Sequence, residues 1–197
     1  MRFEAGRIEK WFMNRSRHAE QTIKKAERLL RFVSVEGKHD FLEIGCGSGA
    51  VSDHIARKYS MNVTGTDIDA DQICLAQQHS GDLVNIRFME ADATNLPFEH
   101  DDFDIVLSFG VMHHISNWLD ALAEISRVLR AGGYFIYWDV VYMKWTARIA
   151  RLFEDKYGVT TIEDLDSFIA KNNFSIIHSS LSRLPIWNHY EAVYQKS

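Results

Sequence analysis

The sequence predicts an α/β fold, a mostly parallel sheet with helices on its faces that ends in an antiparallel hairpin. Two observations carry this. From Phe41 onward, short apolar runs alternate with stretches of helical periodicity through loops of a few residues, the pattern of a parallel sheet with crossover helices. The last two strand-like runs, Phe174–Leu181 and Trp187–Tyr194, are separated by a short link containing Pro185, and links too short for a crossover join antiparallel neighbours.

Taken in order, Ser16 to Val33 spaces Ala19, Ile23, Ala26, Leu30 and Val33 three or four apart, which predicts one amphipathic helix. Strands are expected near Phe41–Gly45, Asn62–Asp67, Asn85–Ala91, Phe103–Phe109 and Gly133–Val141, with helices between them near Ala50–Tyr59, Ala70–His79 and Trp118–Leu129. A further helix begins near Trp145. Another opens at Thr160-Thr161-Ile162-Glu163, where Thr and Glu have capping-box spacing, and stops at Asn172-Asn173, because Asn tolerates the left-handed conformation that ends helices.

One domain of 197 residues is expected, within the usual size of a single core. It divides into an N-terminal helical lid (1–38), a core (39–141) and a lid-and-hairpin segment (142–197). No run approaches the ~18 apolar residues of a membrane span and no signal-peptide core opens the chain, so a cytoplasmic protein is expected. Cys46 and Cys74 lack metal-type spacing and are expected as reduced thiols. The net charge of −5 argues against a nucleic-acid partner. Residues 1 to 33 nevertheless hold nine Lys or Arg against four acids.

The run Phe41-Leu42-Glu43-Ile44-Gly45-Cys46-Gly47-Ser48-Gly49-Ala50 leaves a buried strand through a glycine loop and enters a helix. Glycines let such a backbone turn tightly and approach a ligand. Gly45, Gly47 and Ala50 also satisfy the dinucleotide pattern G-x-G-x-x-A, so at this point an NAD enzyme stands beside other adenosine binders. Asp67 ends the second strand, where a carboxylate can accept the ribose hydroxyls. Asp92 closes the third, where it could take an adenine amine.

With Leu129-Arg130-Ala131-Gly132-Gly133 before strand five, the sequence resembles the class I methyltransferases, in particular the group with the type 11 methyltransferase domain. Glu43, Gly45, Gly47, Gly49, Asp67, Asp92 and that last motif stand in the family's order over roughly residues 40 to 140. The resemblance implies a three-layer Rossmann-like sandwich with seven strands and S-adenosylmethionine as cofactor. It implies that the loop Gly45 to Gly49, with Cys46, meets the methionine moiety and Asp67 the ribose. Ile68 would cover one adenine face, Asp92 and the Ala93 backbone N–H its edge, and Phe109 would complete the site, while Glu43 holds the loop or the amino group through water.

Displacement at a sulfonium methyl needs mainly alignment, and a base only when the acceptor arrives protonated. His113 and His114, after strand four, are the candidates for that base; packing beside the following helix is the alternative. Being adjacent and without carboxylates at ligand spacing, they predict no metal site. The segment Ser108 to Ile115 lacks the (Asp/Asn)-Pro-Pro-(Tyr/Phe) and Pro-Cys signatures of nucleic-acid base and glutamine methylation. Asp139, Tyr142, Trp145 and, in the basic lead-in, Trp11 are candidate substrate contacts. The expected acceptor is a small molecule, apolar or aromatic, and transient contact of the N-terminal segment with an anionic membrane surface is compatible with its charge. The alternatives are methylation of protein or RNA, or a domain that binds the cofactor without transfer. Oligomeric state is not legible.

Overall fold

The computed structural model describes residues 16–153, 157–183 and 188–197. It contains helix α1 (Ser16–Leu30), strand β1 (Asp40–Ile44), α2 (Ala50–Tyr59), β2 (Asn62–Asp67), α3 (Ala70–Ser80), β3 (Ile86–Glu90) and β4 (Phe103–Phe109). A short 3-10 turn (Met112–His114) follows, then α4 (Trp118–Val128), β5 (Leu129–Val141), α5 (Lys144–Phe153), α6 (Ile162–Lys171), β6 (Phe174–Arg183) and β7 (Asn188–Lys196). The seven strands lie in the order β3-β2-β1-β4-β5-β7-β6. The first five pair in parallel and β7 runs antiparallel to both β5 and β6, the expected terminal hairpin.

Alternation along the buried strands feeds two cores. Leu42, Ile44, Val106, Phe135 and Tyr137 face α4 and α6, whereas Phe41, Ile105, Leu107, Ile136 and Val193 face α1 and α2. Successive strand residues point to opposite faces, so each run of apolar residues serves both layers. Within the segment expected as a lid, α1 buries Ala26, Leu29 and Leu30 in the second core, which makes its second half part of the scaffold. Trp11 and the rest of residues 1–15 lie outside the described residues.

Two local readings are corrected. The capping box of α6 sits one residue later than its spacing suggested. Thr161 is the N-cap, accepting from the Asp164 N–H at 3.2 Å, while the Asp164 carboxylate accepts from the Thr161 N–H at 2.9 Å. Asp does here what Glu163 was expected to do. The loop expected between α4 and strand five is also absent, since β5 starts at Leu129, paired with Phe103, and is interrupted only by a register shift before Ile105 pairs with Tyr134. Gly132, at φ 73°, supplies the backbone conformation that bulge requires.

Candidate active site

The carboxyl ends of β1, β2 and β4 bring three loops together, the place where open α/β sheets bind ligands. After β1, Gly45, Gly47 and Gly49 all have positive φ, between 51° and 80°. A β-carbon on Gly45 would lie 2.2 Å from Val111 Cγ2, so the glycine loop rests directly on the turn that follows β4. Cys46 turns its side chain into a small cluster with Ile73, Ala76 and Phe88, leaving its backbone to the loop; burial pushes its thiol up.

Asp67 holds the loop in place. Its carboxylate accepts from the Gly47 N–H at 2.9 Å and from the Asp69 N–H at 3.0 Å, and a carboxylate has room for further donors. Burial raises its pKa, so a ligand that donates hydrogen bonds to it restores what desolvation removed. Ile68 is half-buried beside it. Asp92 is exposed at the end of β3 and accepts from the Thr94 N–H and hydroxyl at 2.9 and 2.7 Å, with Ala93 buried next to it. These residues fit an adenosine cofactor: a backbone cradle free of side chains, then carboxylates at successive strand ends.

Glu43 stands near the end of β1, below the glycine loop. It is 4% exposed and accepts from the Ser52 hydroxyl at 2.5 Å, tying β1 to the first turn of α2. Burial lifts its pKa from 4.5 to about 8, with Asp67 adding to the rise. A folded-state pKa above the unfolded value means that its contribution to stability is full below about pH 4.5 and is lost as pH rises through about 8. Glu43→Gln should therefore flatten the fall in Tm over that interval in the ligand-free protein; parallel melting profiles for the two proteins would refute the assignment.

After β4 the chain turns through Met112–His114. Asp139 on β5 is 0% exposed, and one carboxylate oxygen accepts from the Met112 N–H at 2.7 Å and the His113 N–H at 3.4 Å. The other meets His113 Nδ1 at 2.5 Å and accepts from the Val140 N–H at 2.6 Å. Asp139 is thereby consumed in orienting His113 and presents no free edge to a substrate. The His113 side chain remains 26% exposed, and with Nδ1 bound to the carboxylate, Nε2 is the nitrogen left to accept a proton. His114 packs against it with ring centroids 3.9 Å apart and lies near Tyr157. Gly158 closes over the turn, donating to the His113 carbonyl, and leaves no space there for a β-carbon.

The remaining candidates scatter. Phe109 packs edge-on to Trp138 in the α1 face. The Tyr142 N–H donates to the Thr160 carbonyl, and Trp145 is 62% exposed on α5. Among the described residues no group of three or more metal-ligating side chains converges, and no helix is long and apolar enough to cross a membrane. Sequence reading missed the Asp139–His113 pairing, Ser52 and Gly158, all of them contacts made only by the fold.

A Rossmann-like sheet carrying a glycine cradle and strand-end carboxylates defines the class of adenosine-cofactor enzymes. Residues 42–137, just under half of the chain, match the family model described as a methyltransferase domain. The chain is 36% identical over 119 residues to phthiotriol/phenolphthiotriol dimycocerosates methyltransferase 1 of Mycobacterium ulcerans (strain Agy99), covering 60% of this chain and 43% of that protein. It is 38% identical over 106 residues to a fatty-acid O-methyltransferase of Mycolicibacterium smegmatis, covering 53% and 38%. The chain thus spans less than half the length of either relative. Among solved structures, the [4+2]-cyclase SpnF superposes with a TM-score of 0.76 at 17% identity, over 90% of this chain and 81% of that one.

Proposed function

We propose that this chain transfers the methyl group of S-adenosylmethionine to a protonated oxygen of a small, largely apolar acceptor, with His113 as general base and Asp139 as its positioning residue. Fold alone does not select this reaction, since a cyclase shares it. The observation that carries the reading is the contact between the glycine loop and the β4 turn: Val111 packs on Gly45, and two residues later His113 presents a ring held by a buried carboxylate. Cofactor cradle and proton acceptor are thus side by side.

When bound, the cofactor supplies a methyl group on a sulfonium, an electrophile open to in-line displacement. The residues of this chain do the rest. The glycine loop and Asp67 hold the cofactor, Asp92 and the Ala93 N–H fit the adenine edge, and Ile68 its face. His113 Nε2 takes the hydroxyl proton as the oxygen attacks, and Asp139 fixes the tautomer and offsets the charge that develops on the ring. One of the two relatives is named for a fatty-acid substrate, which supports an acceptor with a long apolar body.

Two measurements test this. Asp67→Ala should weaken S-adenosylhomocysteine binding, read by calorimetry, by roughly 1–3 kcal/mol, the cost of unpairing buried polar groups; unchanged affinity would remove the ribose assignment. Methyl-labelled cofactor incubated with a panel of phenols, long-chain alcohols and hydroxy fatty acids should yield product labelled at the hydroxyl oxygen. Cofactor binding without product from any of them would instead mark a domain that binds and does not transfer.

A further inference from the structure

On the opposite face of β5 from Asp139, a cleft of about 450 Å³ opens between α1 and the β5–β7–β6 half of the sheet, lined by Lys25, Arg28, Trp138, Ser180, Ser182, His189 and Glu191. That volume suits a small-molecule group. Arg28 and Glu191 neutralise each other through two bonds of 2.5 Å, and His178 stands 3.6 Å from the same carboxylate. Lys25 has no ion-pair partner among the described residues. Its ammonium lies 2.9 Å from the centroid of the Trp138 ring, on which His189 stacks at 4.8 Å. Among the described residues the wall therefore carries one cation without an ion-pair partner, on an aromatic floor flanked by two hydroxyls and an imidazole.

We propose that this cleft binds the acid group of the acceptor, with Lys25 as counter-charge and Ser180, Ser182 and His189 as hydrogen-bonding walls, an inference that rests on the methyltransferase reading above. A half-buried cation without an ion-pair partner is costly, and desolvation lowers Lys25 to about 8 against the opposing pull of Glu191 and Asp139. An arriving anion supplies the missing partner. The cleft lies across β5 from the reaction site: Trp138 and Asp139 are successive residues on opposite faces of the strand, and His189 experiences the charges of both Asp139 and His113. An acceptor anchored here by its acid extends its body over the end of β5 toward His113, so the acid is the anchor and a different oxygen is methylated.

The test uses octanoate, octyl phosphate, octanamide and inorganic phosphate as probes, with calorimetry on the full chain. Octanoate or octyl phosphate should bind at least about 10-fold tighter than octanamide, the range expected for a charge-assisted hydrogen bond, and whichever acid binds tighter identifies carboxylate or phosphate as the anchor. Lys25→Met should abolish that preference while leaving S-adenosylhomocysteine affinity intact. Ser180→Ala, an exposed position on β6, should reduce it by about 2- to 10-fold. The preference should also fade as pH rises through about 8, with Lys25 losing its proton in the company of Arg28, Glu191, Asp139 and His189.

Equal binding of octanoate, octyl phosphate and octanamide, or acid binding untouched by both substitutions, would overturn the proposal. So would inorganic phosphate binding as tightly as octyl phosphate, or formation of methyl octanoate, which would put the acid at the methyl group. Failure to bind S-adenosylhomocysteine would instead sink the methyltransferase reading and leave the acid-versus-amide comparison to decide the cleft.

Discussion

His113→Gln is expected to lower turnover by about 10²- to 10⁴-fold, the contribution of a positioned general base, while S-adenosylhomocysteine affinity and Tm stay near those of the unmodified protein. Stability should hold because Asp139 keeps its bonds from the Met112, His113 and Val140 N–H groups when the imidazole is gone, and water can reach the partly exposed ring position. Asp139→Ala should behave differently. It leaves those buried donors unpaired and should cost about 1–3 kcal/mol of stability, the desolvation penalty of an unsatisfied buried group, together with activity. The pair of results separates a base from the group that positions it. Full turnover in a folded His113→Gln protein would refute the base.

What the sequence made legible follows the range of the interactions involved. β1, β2 and β4 lie within about a residue of their expected bounds because their apolar runs are bracketed by Gly, Asn and Asp turns, all local signals. The glycine loop and Asp67 were readable for the same reason: motif spacing encodes a strand–loop–helix unit that folds on itself. Asp139 was readable as a strand-end acid but not as the partner of His113, 26 residues away in sequence, because only the β4–β5 register places them together. The Lys25–Trp138–His189 stack brings together α1, β5 and β7, and no period in the sequence specifies how a helix registers on a sheet. Glu43 shows the limit in another way. Its position matched the family pattern, while its fully buried bond to Ser52 is a property of how α2 leans on β1.

Gly49→Ala should produce a large structural effect in the cofactor loop. At φ 80° an L residue is strained, at about 1–2 kcal/mol, and the added β-carbon would stand 2.7 Å from the Phe88 ring and 2.8 Å from Ala76 Cβ. Neither neighbour can yield cheaply. Phe88 is buried on β3, where it also fills the space beside Gly65, and Ala76 is fully buried on α3. Overpacking adds about 1–3 kcal/mol, so a total near 2–5 kcal/mol is expected, which for a domain of this length lowers Tm by roughly 5–15 °C. Because the loop also carries the Gly47 N–H that Asp67 accepts, S-adenosylhomocysteine affinity should fall by at least about 10-fold, the loss of one charge-assisted bond. Gly37→Ala is the matched control: its φ is 69° but nothing lies within 4 Å of the new carbon, so it should show only the strain term and leave cofactor affinity unchanged. If Gly49→Ala melts no lower than Gly37→Ala, the close approach of α3 and β3 to the loop does not determine its conformation.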